Sequence, residues 1–180
     1  MARRLVNLGR GRVAAMAVRR AFGLSLLLAL ALGLGLGLGL GSAAAATCDP
    51  SRVDLRGDWG QAAFNVSVAD DPQERSRGLM FVEEMARSTG MLFVYEAPQV
   101  ASFWMRNTLI PLDMIFAGPD GVVRHVHSNA IPGDETPILG GDDILVVLEI
   151  NGGLAEQFGI DPGTELRHPA LGDAAAWPCN

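Results

Sequence analysis

Apolar and polar positions along the chain predict most of the strands. Residues 59–69 alternate between apolar and polar side chains, which is typical of a strand with one buried face. Residues 90–96 and 144–150 are apolar at nearly every position, so we expect strands that are covered on both faces. After a short loop, residues 101–108 are interpreted as a further strand.

Turn residues predict how these strands are connected. Gly118-Pro119-Asp120-Gly121 is a hairpin signal between strands at residues 112–117 and 122–128. Asp161-Pro162-Gly163 turns the chain into a last strand near residues 164–168.

Two short helices are expected. Asp71-Pro72-Gln73-Glu74 combines an N-cap, a proline at the first helical position and a glutamate at the third, which predicts a helix that runs to about Met80. Asn151 can cap a second helix over residues 152–158, and Gly159 can end it.

The predicted elements amount to about seven strands and two short helices with mostly short connections. This content indicates an α+β fold, a small β-barrel-like domain. Residues 129–141 are polar and rich in Gly and Pro, so we interpret them as the longest loop and a candidate lid.

The first 46 residues have the pattern of an export signal. Six arginines precede an apolar run at residues 21–41, and no acidic residue lies in this segment. Ala44 and Ala46 are the small residues that a cleavage site needs. We therefore predict that residues 1–46 are a signal peptide, and that the rest forms one globular domain in the periplasm or outside the cell.

Other interpretations of this segment stay open. An apolar run of 21 residues could just span a bilayer, so an uncleaved segment would anchor the protein in a membrane. The Arg19-Arg20 pair resembles a twin-arginine export signal, which differs from general secretion in exporting folded proteins. Translation from Met16 would give a shorter signal of more ordinary length.

Removal of the signal makes the chain strongly acidic. Residues 47–180 hold 8 Arg and no Lys against 20 Asp and Glu, so their formal charge is −12. Such a surface repels nucleic acid and anionic membranes, and we expect no nucleic-acid partner.

Cys48 and Cys179 lie at the two ends of residues 47–180. In an oxidising compartment such a pair predicts a disulfide that joins the termini. A lipid-modified Cys48 is the alternative, although Thr47 is a poor residue before a lipidation cysteine and Cys179 would then have no partner.

Residues 103–116, FWMRNTLIPLDMIF, place polar groups in an otherwise apolar run. If residues 101–108 form a strand, Trp104, Arg106 and Thr108 share one face, and Asn107 lies on the other with Phe103 and Met105. Buried polar groups need partners, so either this segment lines a pocket or its polar groups stabilise a tight turn around Pro111.

Asp113 and Glu149 interrupt apolar strands, and Arg77 and Arg106 are the cations nearest such runs. One interpretation is structural: buried ion pairs and turn hydrogen bonds. A second makes Asp113 and Glu149 the acid and base of a hydrolase-type enzyme. A third is ligand binding without turnover, with Trp104 as a stacking surface and polar anchors at Arg77, Arg106, Asn107, Thr108 and Asp113.

His125 and His127 would project from one face of a hairpin strand, where two imidazoles can bind zinc or copper. Thioethers that suit Cu(I) are available at Met80, Met91, Met105 and Met114. Methionines at such positions usually fill the core, and no third ligand at a suitable spacing supports a metal site. No cofactor motif or nucleophile motif is present in residues 47–180, so we expect no cofactor.

A combination of short motifs resembles one known family, domain of unknown function 192. The motifs are Arg77-Gly78-Leu79-Met80, Gly90-Met91-Leu92-Phe93, Trp104-Met105-Arg106-Asn107-Thr108, Pro111-Leu112-Asp113, Leu148-Glu149, and Gly159 with Gly163. The resemblance covers residues 64–168 and implies a compact β-rich fold in a small exported or membrane-tethered protein with no established activity. Arg106 stands where lysine is frequent in the family, which keeps the charge and changes the hydrogen-bonding geometry.

The sequence as a whole favours an exported domain that binds a small ligand or an envelope protein without turnover. The acid/base and metal hypotheses remain as alternatives.

Overall fold

The computed structural model describes residues 47–180, so the predicted signal segment lies outside the described residues. These residues form one seven-stranded sheet in the order β5-β4-β6-β3-β2-β1-β7. The strands are β1 Arg52–Gly57, β2 Gly60–Ala69, β3 Thr89–Phe103, β4 Leu112–Ala117, β5 Val123–Ala130, β6 Ile138–Asn151 and β7 Glu165–Arg167. The helices are α1 Pro72–Arg77 and α2 Leu154–Phe158, with a 3-10 turn at Pro169–Leu171.

The sheet curls into a half-barrel, which confirms the predicted fold class. Its outer strands approach each other, because Val122, just before β5, forms a β-bridge with Glu165 of β7. The backbone N–H of Val123 adds a hydrogen bond of 2.8 Å to the carbonyl of Thr164. These contacts protect two strand edges that would otherwise be exposed.

The strand predicted for residues 101–108 ends earlier than expected. β3 continues without interruption to Phe103, and it pairs with β6 across three register shifts. The chain then leaves the sheet, because Met105 donates its N–H to the carbonyl of Asp134 at 2.8 Å. Asn107 has a left-handed backbone with φ 55°, which a strand does not allow. The face assignments made for residues 104–108 are therefore wrong.

The loop predicted for residues 129–141 is shorter, because β5 extends to Ala130 and β6 begins at Ile138. The connection of residues 131–137 is tied to Met105, whose carbonyl accepts the N–H of Gly133 at 3.0 Å. This tie places the connection beside the segment that follows β3.

The helix signals are confirmed at one end of each helix. Asp71 caps α1 by accepting the N–H groups of Gln73 and Glu74, but α1 ends at Arg77, before Met80. Gly159 ends α2 as predicted. Asn151 does not cap α2: the N-cap is Gly153, and the Asn151 amide donates to the carbonyls of Met85 and Ala86.

Side chains pack on both faces of the central strands. One face carries the larger core, which includes Leu55, Phe64, Ile115, Leu148 and Ile150. The other face carries a second core, which includes Phe93, Met105, Met114, Phe116 and Val147. The candidate site lies on this second face.

The predicted disulfide is confirmed. Cys48 and Cys179 are bonded, with their Cα atoms 5.3 Å apart, and they close a loop that spans 131 positions. Trp177, two positions before Cys179, is held at β1, since the Arg56 guanidinium lies 4.4 Å from its ring centre. In residues 47–180 neither helix has the length and apolar character that a transmembrane helix needs.

Candidate functional site

A cavity of about 290 Å³ lies on the second face of the sheet. Helix α1 and the segment that follows it form one wall, and the end of β3 with residues 104–108 forms another. Glu149 of β6 lies on the sheet side. The lining residues are Arg75, Ser76, Arg77, Gly78, Leu79, Met80, Phe93, Tyr95, Ser102, Phe103, Trp104, Arg106, Thr108 and Glu149.

Glu149 is the unusual group in this cavity. The residue is only 4% exposed, and its neighbours across the two adjacent strands are Met91 and Met114. Neither thioether is a useful hydrogen-bond donor. Within residues 47–180 the Glu149 carboxyl makes no hydrogen bond and no ion pair with a protein group, although it lines the cavity.

Burial raises the pKa of the Glu149 carboxyl to about 8. Desolvation penalises the charged form, and no nearby partner offsets the penalty. The group is therefore mostly protonated at neutral pH and can donate one hydrogen bond as well as accept others.

Three arginines line the cavity, and one of them is fully engaged. Arg75 donates to the carbonyls of Asp70 and Val94 and forms an ion pair with Glu96 at 2.8 Å. Its guanidinium also lies 5.4 Å from the ring centre of Tyr95. Arg75 thus fixes α1 to β3.

The other two arginines are available to a ligand. Arg77 is exposed and has no ion pair or side-chain hydrogen bond among the described residues. Arg106 approaches Glu135 only at 4.0 Å, and both side chains are more than half exposed, so this pair contributes little. Its guanidinium lies 5.6 Å from the ring centre of Trp104.

Aromatic side chains supply the apolar surface. Trp104 is 48% exposed, although a large aromatic ring usually gains by burial. Phe103 packs edge-on against Phe93 at 5.1 Å between ring centres. Tyr95, the only tyrosine of the chain, has its pKa raised by burial and stays neutral.

Gly78 allows the wall formed by α1 to lie close to the sheet. Its φ is 48°, and a Cβ there would come within 3.1 Å of Cζ of Phe93. A larger residue would be strained and would press on that ring. The Arg77-Gly78-Leu79-Met80 motif can therefore follow the cavity wall.

Asp113 does not belong to this cavity. It pairs with Ile150 in the β4–β6 register, one position from the Met114–Glu149 pair, so Asp113 and Glu149 project to opposite faces of the sheet. Asp113 is fully buried, and its carboxylate accepts the N–H groups of Asn129, Gly153 and Ala155 at 2.6, 2.9 and 2.6 Å. The predicted Asp113–Glu149 acid/base pair is therefore not assembled, and Asp113 is placed as a structural group rather than a ligand anchor.

Of the two remaining predicted anchors, one lines the cavity and the other lies at its rim. Thr108 lines the cavity and is 7% exposed, and its hydroxyl lies 3.4 Å from the carbonyl of Arg106. Asn107 is outside the lining, and its amide donates to Sδ of Met80 at 3.8 Å. The structure thus brings together Arg77, Trp104, Arg106 and Thr108 with Glu149.

The two histidines of the metal hypothesis lie on edge strand β5. His125 stacks on Phe116, with the ring centres 5.7 Å apart, and His127 pairs with Met114 in the strand register. Across residues 47–180, no three His, Cys, Asp or Glu side chains come together as a metal-binding group. Met105 and Met114 are fully buried core residues.

A larger cleft of about 690 Å³ lies near Trp59 and Gly163. Its buried and half-buried polar side chains already have protein partners. Arg56 pairs with Glu165 at 2.6 Å, and the Trp59 indole donates to the Thr164 hydroxyl at 3.1 Å. We favour the smaller cavity as the functional site because it holds a buried polar group that lacks a partner.

Sequence reasoning missed Arg75 and Tyr95. Tyr95 could have been noticed, because it is a lone phenol inside the apolar run of residues 90–96. Arg75 gave no signal, because its partners on β3 come together with α1 only in the folded chain.

By its fold, the chain falls in the class of small α+β domains whose sheet forms a half-barrel. The model of the DUF192 family, described as an uncharacterized ACR, matches residues 53–168. The chain belongs to this family, which confirms the resemblance seen in its motifs.

Two solved structures are similar to the chain. A protein of unknown function from Novosphingobium aromaticivorans DSM 12444 is 43% identical with a TM-score of 0.63, over 69% of this chain and 93% of that chain. A protein from Sinorhizobium meliloti 1021, named as a candidate transcription regulator, is 39% identical with a TM-score of 0.62, over 64% of this chain and 90% of that chain. The comparison with curated proteins found no match.

Proposed function

We propose that this protein is an exported domain that binds a small organic ligand in the cavity beside Glu149 and does not turn it over. The observation that carries the proposal is the buried Glu149 carboxyl, which faces the cavity without a hydrogen-bond partner among the described residues. A buried polar group without a partner costs free energy, so a ligand that bonds to it gains the interaction at little further desolvation cost.

The composition of the cavity supports a ligand site. Small-molecule sites combine apolar and aromatic walls with a few polar groups that fix orientation. Here Trp104, Phe103 and Tyr95 provide the walls, and Arg77 and Glu149 provide polar groups. The volume of about 290 Å³ is at the lower end for such sites, so the ligand is small.

The same residues argue against hydrolysis. Ser76, Ser102 and Thr108 are the hydroxyls in the lining, and no histidine or second carboxylate lines the cavity with them. A hydroxyl nucleophile needs a base, and Glu149 is mostly protonated at neutral pH. Binding without turnover therefore fits these side chains better than acid/base catalysis.

Charge also favours a small molecule over a nucleic acid. The formal charge of residues 47–180 is −12, which opposes the phosphate contacts that dominate DNA affinity. The candidate regulator role named for the Sinorhizobium meliloti protein is therefore not what we propose for this chain.

Export is supported by the disulfide and by the signal-like pattern of residues 1–46. Disulfides persist mainly in oxidising compartments. Cell fractionation with N-terminal sequencing tests this part of the proposal: the purified protein is expected to begin at Thr47. A protein that stays in the cytoplasm with residues 1–46 attached would contradict it.

Ligand binding is tested by thermal-shift screening of a library of small organic compounds against residues 47–180. A true ligand raises the melting temperature, and above Kd the stabilisation grows with the logarithm of the ligand concentration. Trp104→Ala is expected to weaken binding about tenfold, since an exposed ring contributes contact area rather than core packing. Leu139→Ala is the matched control, because Leu139 is 66% exposed and lies outside the cavity. A library with no stabilising compound, or equal effects of both variants, would contradict the proposal.

A further inference from the structure

We propose that the cavity selects small organic anions, with the anionic group held by Arg77 and Arg106 and a planar apolar body against Trp104. This inference rests on the proposed function, since it names the class of ligand for the same cavity. It does not require any residue beyond those already described.

Charge is distributed unevenly between the domain and the cavity. Residues 47–180 have 20 acidic and 8 basic side chains, yet three of the eight arginines line this one cavity. Glu149 is the only carboxylate-bearing residue in the lining. A cavity lined by arginines in a strongly acidic domain is the arrangement expected for binding an anion. Outside the cavity the acidic surface would attract cations instead.

Arg77 is an arginine of the cavity that has no acidic partner in the described part of the chain. Among the described residues no carboxylate lies within ion-pair distance of its guanidinium, although the domain has more than twice as many acids as arginines. Gly78 and Met80 place its segment along the cavity wall. A free guanidinium offers two parallel N–H donors that match a carboxylate or a phosphate.

Arg106 and Trp104 lie side by side in the cavity lining. The guanidinium stacks near the indole, and the 4.0 Å pair with Glu135 is long and exposed. A ligand anion can therefore replace Glu135 at low cost. The exposed face of the indole then offers a stacking surface for a planar body.

Glu149 is compatible with an anion because its burial keeps it mostly neutral at pH 7. The charged or titratable groups that surround it are Arg75 and Arg77 from α1, Tyr95 from β3 and Arg106 from the segment after β3. His127 lies on the same face, two strands away. A neutral carboxyl donates a hydrogen bond to the ligand and adds no repulsion.

Four probes of similar shape test the inference: benzoate, phenyl phosphate, benzamide and benzylamine. Dissociation constants are measured by NMR titration of residues 47–180 at pH 7 and low salt. At least one of the two anions is expected to bind about tenfold more tightly than benzamide, and benzylamine more weakly than benzamide. Comparing benzoate with phenyl phosphate distinguishes carboxylate ligands from phosphate ligands.

Arg77→Gln and Arg106→Gln are each expected to reduce the preference for anions about fivefold or more. Both side chains are exposed, so the variants should fold, and a melting curve checks this. Arg52→Gln is the control, since Arg52 is 52% exposed, pairs with Asp54 and lies outside the cavity.

Tighter binding of benzamide or benzylamine in the cavity would overturn the anion inference and leave the proposed function standing. Equal losses in Arg52→Gln and Arg77→Gln would also overturn it. If none of the four probes binds up to about 10 mM, the inference fails. The proposed function fails with it only if the wider library also yields no ligand.

Discussion

The backbone N–H of Phe81 donates to the carbonyl of Asn107 at 2.9 Å, and both residues have left-handed backbones, with φ 63° and 55°. This hydrogen bond joins the segment after α1 to the segment after β3, next to the cavity. Left-handed conformations are costly for a bulky residue such as Phe. The pair therefore holds a strained geometry at the rim of the site.

Substitution of Phe81 tests this strain. Phe81 is 65% exposed, so removal of its ring costs little burial, and glycine adopts φ 63° freely. Phe81→Gly is expected to leave the free energy of unfolding unchanged or to raise it by up to about 1 kcal/mol, as measured by urea denaturation. Val100→Gly, at an equally exposed strand position, should be destabilising. A loss of more than about 1 kcal/mol in Phe81→Gly would show that the ring packs in the native state.

Asp113 is expected to be a stability residue. Three backbone N–H groups depend on its carboxylate, and two of them, from Gly153 and Ala155, lie at the start of α2. Asp113→Ala should lower the free energy of unfolding by about 3 kcal/mol or more, because buried donors lose their acceptor. Asp142→Ala on the exposed part of β6 is the control. Loss of ligand binding in a fully stable Asp113→Ala would contradict the structural role.

The disulfide is expected to contribute strongly to stability. A loop that spans 131 positions restricts the unfolded chain, and the chain-entropy model gives about 5 kcal/mol for a loop of this size. Cys48→Ser with Cys179→Ser should therefore lower the midpoint of guanidinium denaturation markedly. An unchanged midpoint would contradict this contribution of the disulfide.

The protonation of Glu149 predicts a pH dependence of stability. Its pKa is about 8 in the folded protein and 4.5 in the unfolded chain, so only the folded state holds the proton between these values. The free energy of unfolding should therefore fall as the pH rises, by up to about 1.4 kcal/mol per unit, and level off above pH 8.

Glu149→Gln isolates this contribution. Glutamine keeps the shape and has no proton to lose, so the variant should lack the fall in stability between pH 5 and 8. His168, whose pKa is lowered by burial, changes stability in the opposite sense at acid pH and is present in both proteins. Parallel pH profiles of wild type and Glu149→Gln would show that Glu149 is ionised in the folded state.

Much of the fold could be predicted because strand alternation and turn chemistry are local. The hairpin at Gly118–Gly121 is an example: the left-handed backbone of its turn, φ 73°, falls on Gly121. The end of β3 could not be predicted in this way. Residues 101–108 have a strand-like pattern, and the contact that ends the strand comes from Asp134, 29 positions after Met105.

The candidate site was predicted in part for a similar reason. Trp104, Arg106, Thr108 and Arg77 were singled out in the sequence, and the structure places all four in the lining of one cavity. Asp113 and Glu149 look alike in the sequence, since each is a carboxylate in an apolar strand. Only the β4–β6 register separates them, by placing Asp113 beside Ile150 and Glu149 beside Met114.

The most direct test of the account is chemical-shift mapping of a bound small molecule on ¹⁵N-labelled residues 47–180. We expect the largest perturbations at the amides of Gly78, Ser102 and Thr108, which surround the cavity, and a matching change in the ¹³C signal of the Glu149 carboxyl. Perturbations centred on Trp59 and Gly163 at the larger cleft, with an unchanged Glu149 signal, would contradict the account.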